Sequence, residues 1–422
     1  MSINNNPTGK NGYGAKNYPS DDILKAALQQ YASERLTVAQ KRLRLAIEHS
    51  LEIGATNLWK LERRFLIPNV RRPPPDEIAT EHVLQIVRAD INQRRGTGTI
   101  MAILANQGVM LPRDFIRKVL QVHAPEGLNM RFPGSGKIKR SQLSARGPCH
   151  QFHADGHEKL GAKALTSMGG VGLDIYGIKD QWSSFIVHLV VVPNNRLADT
   201  IGHVYLDMVE KTLSIPITMV TDKGSEVGHL FAHQRGLRQA YSADIDVAQF
   251  PPVVQIKSVH NTPIEGLWHW FLENSGRNLK DTIVSGQTNG IFHPGDPTHA
   301  QLFNYLWPKV LQIQLDNFVT FWNNHRIRTQ KSKPNMSGTT PQHAFIAPDP
   351  AQAEKCAIAV EQPVVDALRR QIATSRADSM RFVVGPFAEV ADEAYKAIGS
   401  PDLSNIDEAW NIFGMMLPHM HM

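Results

Sequence analysis

From residue 149 onward the hydrophobic pattern sets an order of elements that few folds can accept. CHQFHAD (149–155) is a short strand candidate. GVGLDIYGIKDQWSSFIVHLVVVP (170–193) reads as two strands around a turn at Lys179-Asp180. RLADTIGHVYLDMVEKTLS (196–214) is an amphipathic helix and IPITMVTD (215–222) another strand. HLFAHQRGLRQAYSA (229–243) is a helix, VVQIKSVH (253–260) a strand, and NTPIEGLWHWFLENSGRNLKDTI (261–283) a helix. Further helices, including LDNFVTFWNNHRIR, run to 345. Strands in succession, then strands alternating with helices, predict the α/β class: a mixed sheet covered by helices.

The first third reads differently. Residues 1–20 are polar and Asn/Gly-rich and are expected to be disordered; they lack the apolar centre of a signal peptide. Residues 21–130 carry two helical sets. DDILKAALQQYASERL, TVAQKRLRLAIEHS and ATNLWKLERRFLI form the first, with Val38, Leu43, Leu45, Ala46 and Ile47 on one side of the second helix. Leu58, Leu61, Phe65 and Leu66 stripe the third. After the Pro-rich PNVRRPPP (68–75), DEIATEHVLQIVRADINQ, TGTIMAILANQG and RDFIRKVLQVHAP form the second set. Each set ends in a basic helix, carrying Arg63 and Arg64 or Arg117 and Lys118. Two helix–turn–basic-helix units in tandem point to DNA; an ordinary bundle with a basic surface is the plainer alternative. RFPGSGKIKRSQLSARGP (131–148) is a basic linker whose Lys137, Lys139 and Arg140 could touch phosphates. Region 346–422 carries no recognisable chemistry.

Charge follows the same division. Residues 1–150 have a net charge of +11 and residues 151–422 one of −5, within a total of +6. A basic part that binds polyanions thus sits beside a part rich in carboxylates. Two cysteines exclude a disulfide framework or a Cys-rich zinc module. No apolar run is long enough to span a membrane.

Three acids stand where sheet proteins gather ligands. Asp155 closes the first strand candidate, Asp222 ends IPITMVTD, and Glu265 lies in the first turn of the helix after Asn261. Clustered carboxylates repel unless a cation lies between them, and oxygen-only ligands suit Mg²⁺ or Mn²⁺. Two such ions suit in-line phosphoryl displacement. Each acid also has a bland explanation. Thr262-Pro263-Ile264-Glu265 matches a capping box, Asp222 before Lys223-Gly224 suits a turn, and Asp155-Gly156 is a turn pair. Asp174, Glu158, Glu226 and Glu273 compete for the role. Lys159 and Lys223 flank two of the acids and could meet DNA phosphates. His153, His157 and His269 lack zinc-ligand spacing. Trp268, Trp270 and Phe271 read as core.

FHADGHEKLG, VPNNRLADTIGHVYLDMVE, VTDKGSEVG, SVHNTPIEGLW and FWNNHRIRTQ occur in that order over about 145–345. This segment resembles the integrase catalytic core of the DDE, RNase H-like superfamily, most nearly the integrase-core proteins of fungal transposable elements. The resemblance implies an RNase H-like sheet over 149–345, polynucleotidyl transfer with two Mg²⁺ ions, and Asp155, Asp222 and Glu265 as the metal-binding acids. It also implies DNA as substrate, a homo-oligomer able to hold two ends, and a nuclear location. Two features depart from retroviral integrases. The 42 residues between Asp222 and Glu265 are more than those proteins have, and their zinc-binding His/Cys module is missing. A nuclease without joining activity, and a host-adopted DNA-binding protein that kept the acids, remain the rival expectations.

Overall fold

The computed structural model describes residues 18–124, 145–257, 260–329 and 337–420. Lys137, Lys139 and Arg140, with most of the expected linker, lie outside the described residues.

The expected mixed sheet is present. Its strands are β1 (Gln151–His157), β2 (Asp174–Asp180), β3 (Ile186–Val192), β5 (Thr218–Asp222) and β6 (Val253–Ile256), in the order β3-β2-β1-β5-β6. β1, β2 and β3 pair antiparallel, whereas β1–β5 and β5–β6 are parallel. Parallel neighbours need crossover connections, which helices supply. Here α7 (Ala198–Thr212) leads from β3 towards β5, and α8 (Gly228–Tyr241) leads from β5 to β6. β4 (Ser214–Ile215) precedes β5, split from it by Pro216-Ile217.

Alternation along the strands divides the core into two layers. Phe152 and Ala154 of β1, Tyr176 and Ile178 of β2 and Met219 of β5 pack with α7 and α8. Ile175 of β2 and Leu189 and Val191 of β3 pack on the other face. That second layer holds α9 (Thr262–Phe271), α10 (Arg277–Thr288) and the long α11 (Pro297–Asn324). A π turn, Leu272–Gly276, joins α9 to α10.

The described part of region 346–422, up to residue 420, belongs to this core. Its α15 (Gly385–Ala397) and α16 (Ala409–Met416) place Phe387, Ala391, Trp410, Phe413 and Met416 in the α11 layer. Gly286 of α10 has no side chain because Trp410 lies against it. β7 (Ile358–Ala359) pairs with β4, and α13 (Gln362–Arg369) packs on α7. Between them in the chain order, α12 (Pro341–Ile346) follows α11, and α14 (Arg376–Ser379) follows α13.

The helical first third forms two three-helix units, each with its own apolar cluster. One is α1 (Asp21–Ser33), α2 (Val38–His49) and α3 (Ala55–Arg64). The other is α4 (Asp76–Arg88), α5 (Thr97–Asn106) and α6 (Arg113–His123). Two details correct the sequence pattern. Leu43 and Ile47 are exposed, and α2 instead buries Leu45 and Arg44, the latter paired with buried Glu34 at 3.0 Å. Leu66 is 82% exposed because the chain turns to positive φ there, after α3 has ended. Both units rest on the α/β part through polar contacts. Gln40 donates to Thr339 at 2.7 Å, Asn324 to Asn106 at 2.9 Å, and Arg95 to the Asn274 carbonyl at 3.2 Å.

Candidate active site

Asp155 and Asp222 stand side by side. The parallel register pairs Gln151 with Thr218, Phe152 with Met219 and His153 with Val220. The same offset carried two residues further sets Asp155 abreast of Asp222. Paired residues of parallel strands project from the same face, and neighbouring strands lie about 4.8 Å apart. Both carboxylates therefore leave the α9 face of the sheet, together with His153 and His157.

That face is clamped to α9 at each of its three β1 positions. His153 bonds Asn261 at 2.7 Å through Nδ1 and Gln181 at 2.7 Å through Nε2. Asp155 Oδ2 accepts from Trp268 Nε1 at 2.9 Å. The His157 ring stacks on Trp268 with centroids 4.7 Å apart. Lys179 adds a bond to the Pro263 carbonyl at 3.0 Å. Glu265 lies one turn before Trp268, and residues three apart share a helix face. The helix that grips Asp155 thus presents Glu265 one turn earlier on the same side.

Asp155 lies within the electrostatic reach of the other two acids. Burial pushes the Asp155 carboxyl from 3.8 up to about 7. Asp222 and Glu265 push in the same direction, while the bonds from Trp268 and the Gly156 amide oppose it. Burial also lowers His157 to about 4, so it is neutral at physiological pH.

Two of the bland explanations fail, while Asp222 does end its strand ahead of a bend at Lys223. The N-cap of α9 is Asn261, not Thr262, and it makes no side-chain cap bond. Its amide instead joins His153 and donates to the Ala154 carbonyl at 3.3 Å. Glu265 is one residue too late for the capping box. Asp155-Gly156 is not a turn, because β1 continues through both to His157. Two competing acids are occupied by arginines: Glu158 pairs with Arg196 at 2.6 Å and Glu273 with Arg277 at 2.6 Å. Asp174 accepts from the Asn195 amide at 3.4 Å. Asp180, which the sequence put in a turn, is the buried end of β2 and binds the Ser183 and Cys149 amides at 2.7 and 3.0 Å.

The basic residues are spread out. Lys159 and Lys223 are exposed just beyond β1 and β5, beside the acids in sequence. Arg63 and Arg64 are exposed at the end of α3, with Arg64 paired to Asp21, and Arg117 and Lys118 are exposed on α6. Asn323 bonds both the amide and the carbonyl of Ile186, at 2.9 and 3.1 Å, and Asn324 bonds Asn106. Those two asparagines are structural. Trp268 and Phe271 are buried as expected, but Trp270 is exposed. A cleft of about 440 Å³ opens between α4, α5, α10 and α11, and none of the three acids lines it.

The sequence marked Asn261 only as the start of the Glu265 helix, whose amides could help bind an anion, and gave no role to Gly177 or the indole N–H of Trp268. Gly177 had left a signal, since a glycine inside an apolar strand often marks a close approach.

Residues 143–346 match the family model of the integrase core domain. No curated protein matches the chain. The mixed five-stranded sheet with its flanking helices is the RNase H-like fold of such cores. The match supports integrase- or transposase-type function, with DNA as the partner.

Integrase cores use divalent metal ions, so the fit of these residues to one can be tested. Among the described residues no three His, Cys, Asp or Glu side chains converge into a ready-made metal cage. Mg²⁺ does not require one: it keeps several waters and takes one or two carboxylates together with substrate phosphates. Two aspartates abreast, with a glutamate on the facing helix, offer that oxygen-only donor set. The mutual repulsion felt at Asp155 is what a cation would relieve.

Proposed function

We propose that this chain is a transposon-type integrase that cleaves and transfers DNA strands with divalent metal ions. Asp155, Asp222 and Glu265 are its metal-binding and catalytic residues. The observation that supports this most is the parallel register that aligns Asp155 with Asp222 on the sheet face clamped to the Glu265 helix. Bound Mg²⁺ or Mn²⁺ would activate the attacking oxygen and stabilise the leaving oxygen at a phosphodiester.

The chain's own residues divide the remaining work. Asp155 and Asp222 hold the ions from the rigid sheet, and Glu265 closes the set from α9. Lys159 and Lys223 neutralise the phosphates of the entering strand. The exposed basic faces of α3 and α6 hold the element's end DNA in two places, with Arg63, Arg64, Arg117 and Lys118 on phosphates. Lys137, Lys139 and Arg140 add charge between the two parts. Two ends must be held together for transfer, so the working unit is a homo-oligomer. Its place of work is the nucleus.

The deciding experiment is Mn²⁺-dependent cleavage and joining of labelled duplex DNA by the wild type and Asp222→Asn. Activity confined to the wild type, with both proteins folded, supports the proposal. Hydrolysis without joined products would make the chain a nuclease. DNA binding with no cleavage by either protein would favour a retired core kept for binding.

A further inference from the structure

We infer that Trp268 is the positioning residue of the acid cluster: it holds Asp155 by one carboxylate oxygen and sets its separation from Glu265. This rests on the metal-binding reading of the three acids. Asp155 Oδ2 is committed to the indole N–H at 2.9 Å. The indole itself is seated on three sides. Its face stacks on His157 at 4.7 Å and 23°. Its backbone belongs to α9, three residues after Glu265. Its six-membered edge crosses β2 at Gly177, which is the residue paired with Asp155 across the β1–β2 ladder. A Cβ at 177 would stand 2.7 Å from Trp268 Cη2, 3.1 Å from Cζ2 and 3.2 Å from Leu189 Cδ1. Any other residue at 177 would therefore push the ring away from the acid.

Core filling alone accounts for a large ring at 268, since the side chain is only 4% exposed. It does not account for a ring whose single donor meets Asp155 while a glycine opposite Asp155 makes room for it. A fixed ligand needs a partner that fixes it, and losing such partners typically weakens metal binding about 10- to 100-fold.

The test uses the full chain with Trp268 replaced by benzothienylalanine, in which sulfur replaces the N–H and the ring is kept. Trp268→Phe and Gly177→Ala accompany it. Mn²⁺ binding to the metal-free proteins is followed by electron paramagnetic resonance, with kcat and KM for DNA measured in parallel. The expected result is a loss of Mn²⁺ affinity of about 10-fold or more in all three, with kcat reduced and KM for DNA unchanged. Gly177→Ala keeps the indole N–H but displaces it, so it should share the loss. Wild-type Mn²⁺ affinity in the benzothienylalanine protein would overturn the role of Trp268 while leaving the metal site standing. A wild type that binds no Mn²⁺, or an Asp155→Asn protein that binds it equally well, would overturn the metal-binding reading and this inference with it.

Discussion

Replacing Asp155 by Asn should make the protein more stable while removing the proposed metal site. Burial, then Asp222 and Glu265, hold the Asp155 carboxyl at about 7 instead of 3.8. Between those two values the folded protein keeps a proton that the unfolded chain has released. Stability therefore falls as pH rises from about 4 to about 7 and levels off above. A tenfold change in proton affinity is worth about 1.4 kcal/mol, which makes the full displacement about 4 kcal/mol. Water reaches part of the carboxylate and screens about half of this, leaving ~2 kcal/mol. Asn carries no charge and can still accept from Trp268. In urea denaturation with a chelator, Asp155→Asn should exceed the wild type by ~2 kcal/mol at about pH 8, and the gap should close towards about pH 4. Mn²⁺ should then stabilise the wild type alone. If Asp155→Asn is no more stable at the higher pH, or if the gap ignores pH, the account of a repelled, buried carboxylate is wrong.

Three further outcomes follow from other parts of the molecule. Arg117→Glu with Lys118→Glu should weaken DNA binding and flatten its salt dependence by about two phosphate contacts, with Mn²⁺ affinity unchanged; fluorescence anisotropy across a salt series measures this. Gly286→Leu should cost more than ~2 kcal/mol, because a Cβ there would stand 2.2 Å from the Trp410 ring. A thermal melt reads that loss, and a chain ending at 346 should fail to fold, since α15 and α16 complete the α11 layer.

The legible parts of this protein were those governed by periodicity. Each strand of the sheet and the helices α7 to α9 were visible because buried strands and amphipathic helices repeat at different intervals. The acids were visible as residues at strand ends and a helix start. Their alignment was not, because register between β1 and β5 is a non-local property with 67 residues of offset. The capping-box reading of Glu265 failed for a related reason. Asn261 is drawn away from local capping by His153, more than a hundred residues earlier. The C-terminal region looked featureless since its helices are short and apolar on the side that α11 covers. Exposed Leu43 and Ile47 misled because Arg44, an unlikely core residue, is buried with Glu34.

The π turn between α9 and α10 separates two demands on one helix. Ile264, Trp268 and Phe271 set a phase that, continued at 3.6 residues per turn, would bury position 275 and then 278, 282 and 285. The helix buries Leu279, Ile283 and Gly286 instead, each late by one residue or slightly less. The widened turn absorbs one surplus residue, and both halves face the same core. Deleting a single residue inside 272–276 would thus restore a plain helix with its apolar faces still in step. The interior has no use for the surplus. What uses it is the seam with the N-terminal helices, where Arg95 and Thr99 bond Asn274 and Arg94 approaches Glu273. The length of the Glu265 helix is set by the units that would carry DNA to it.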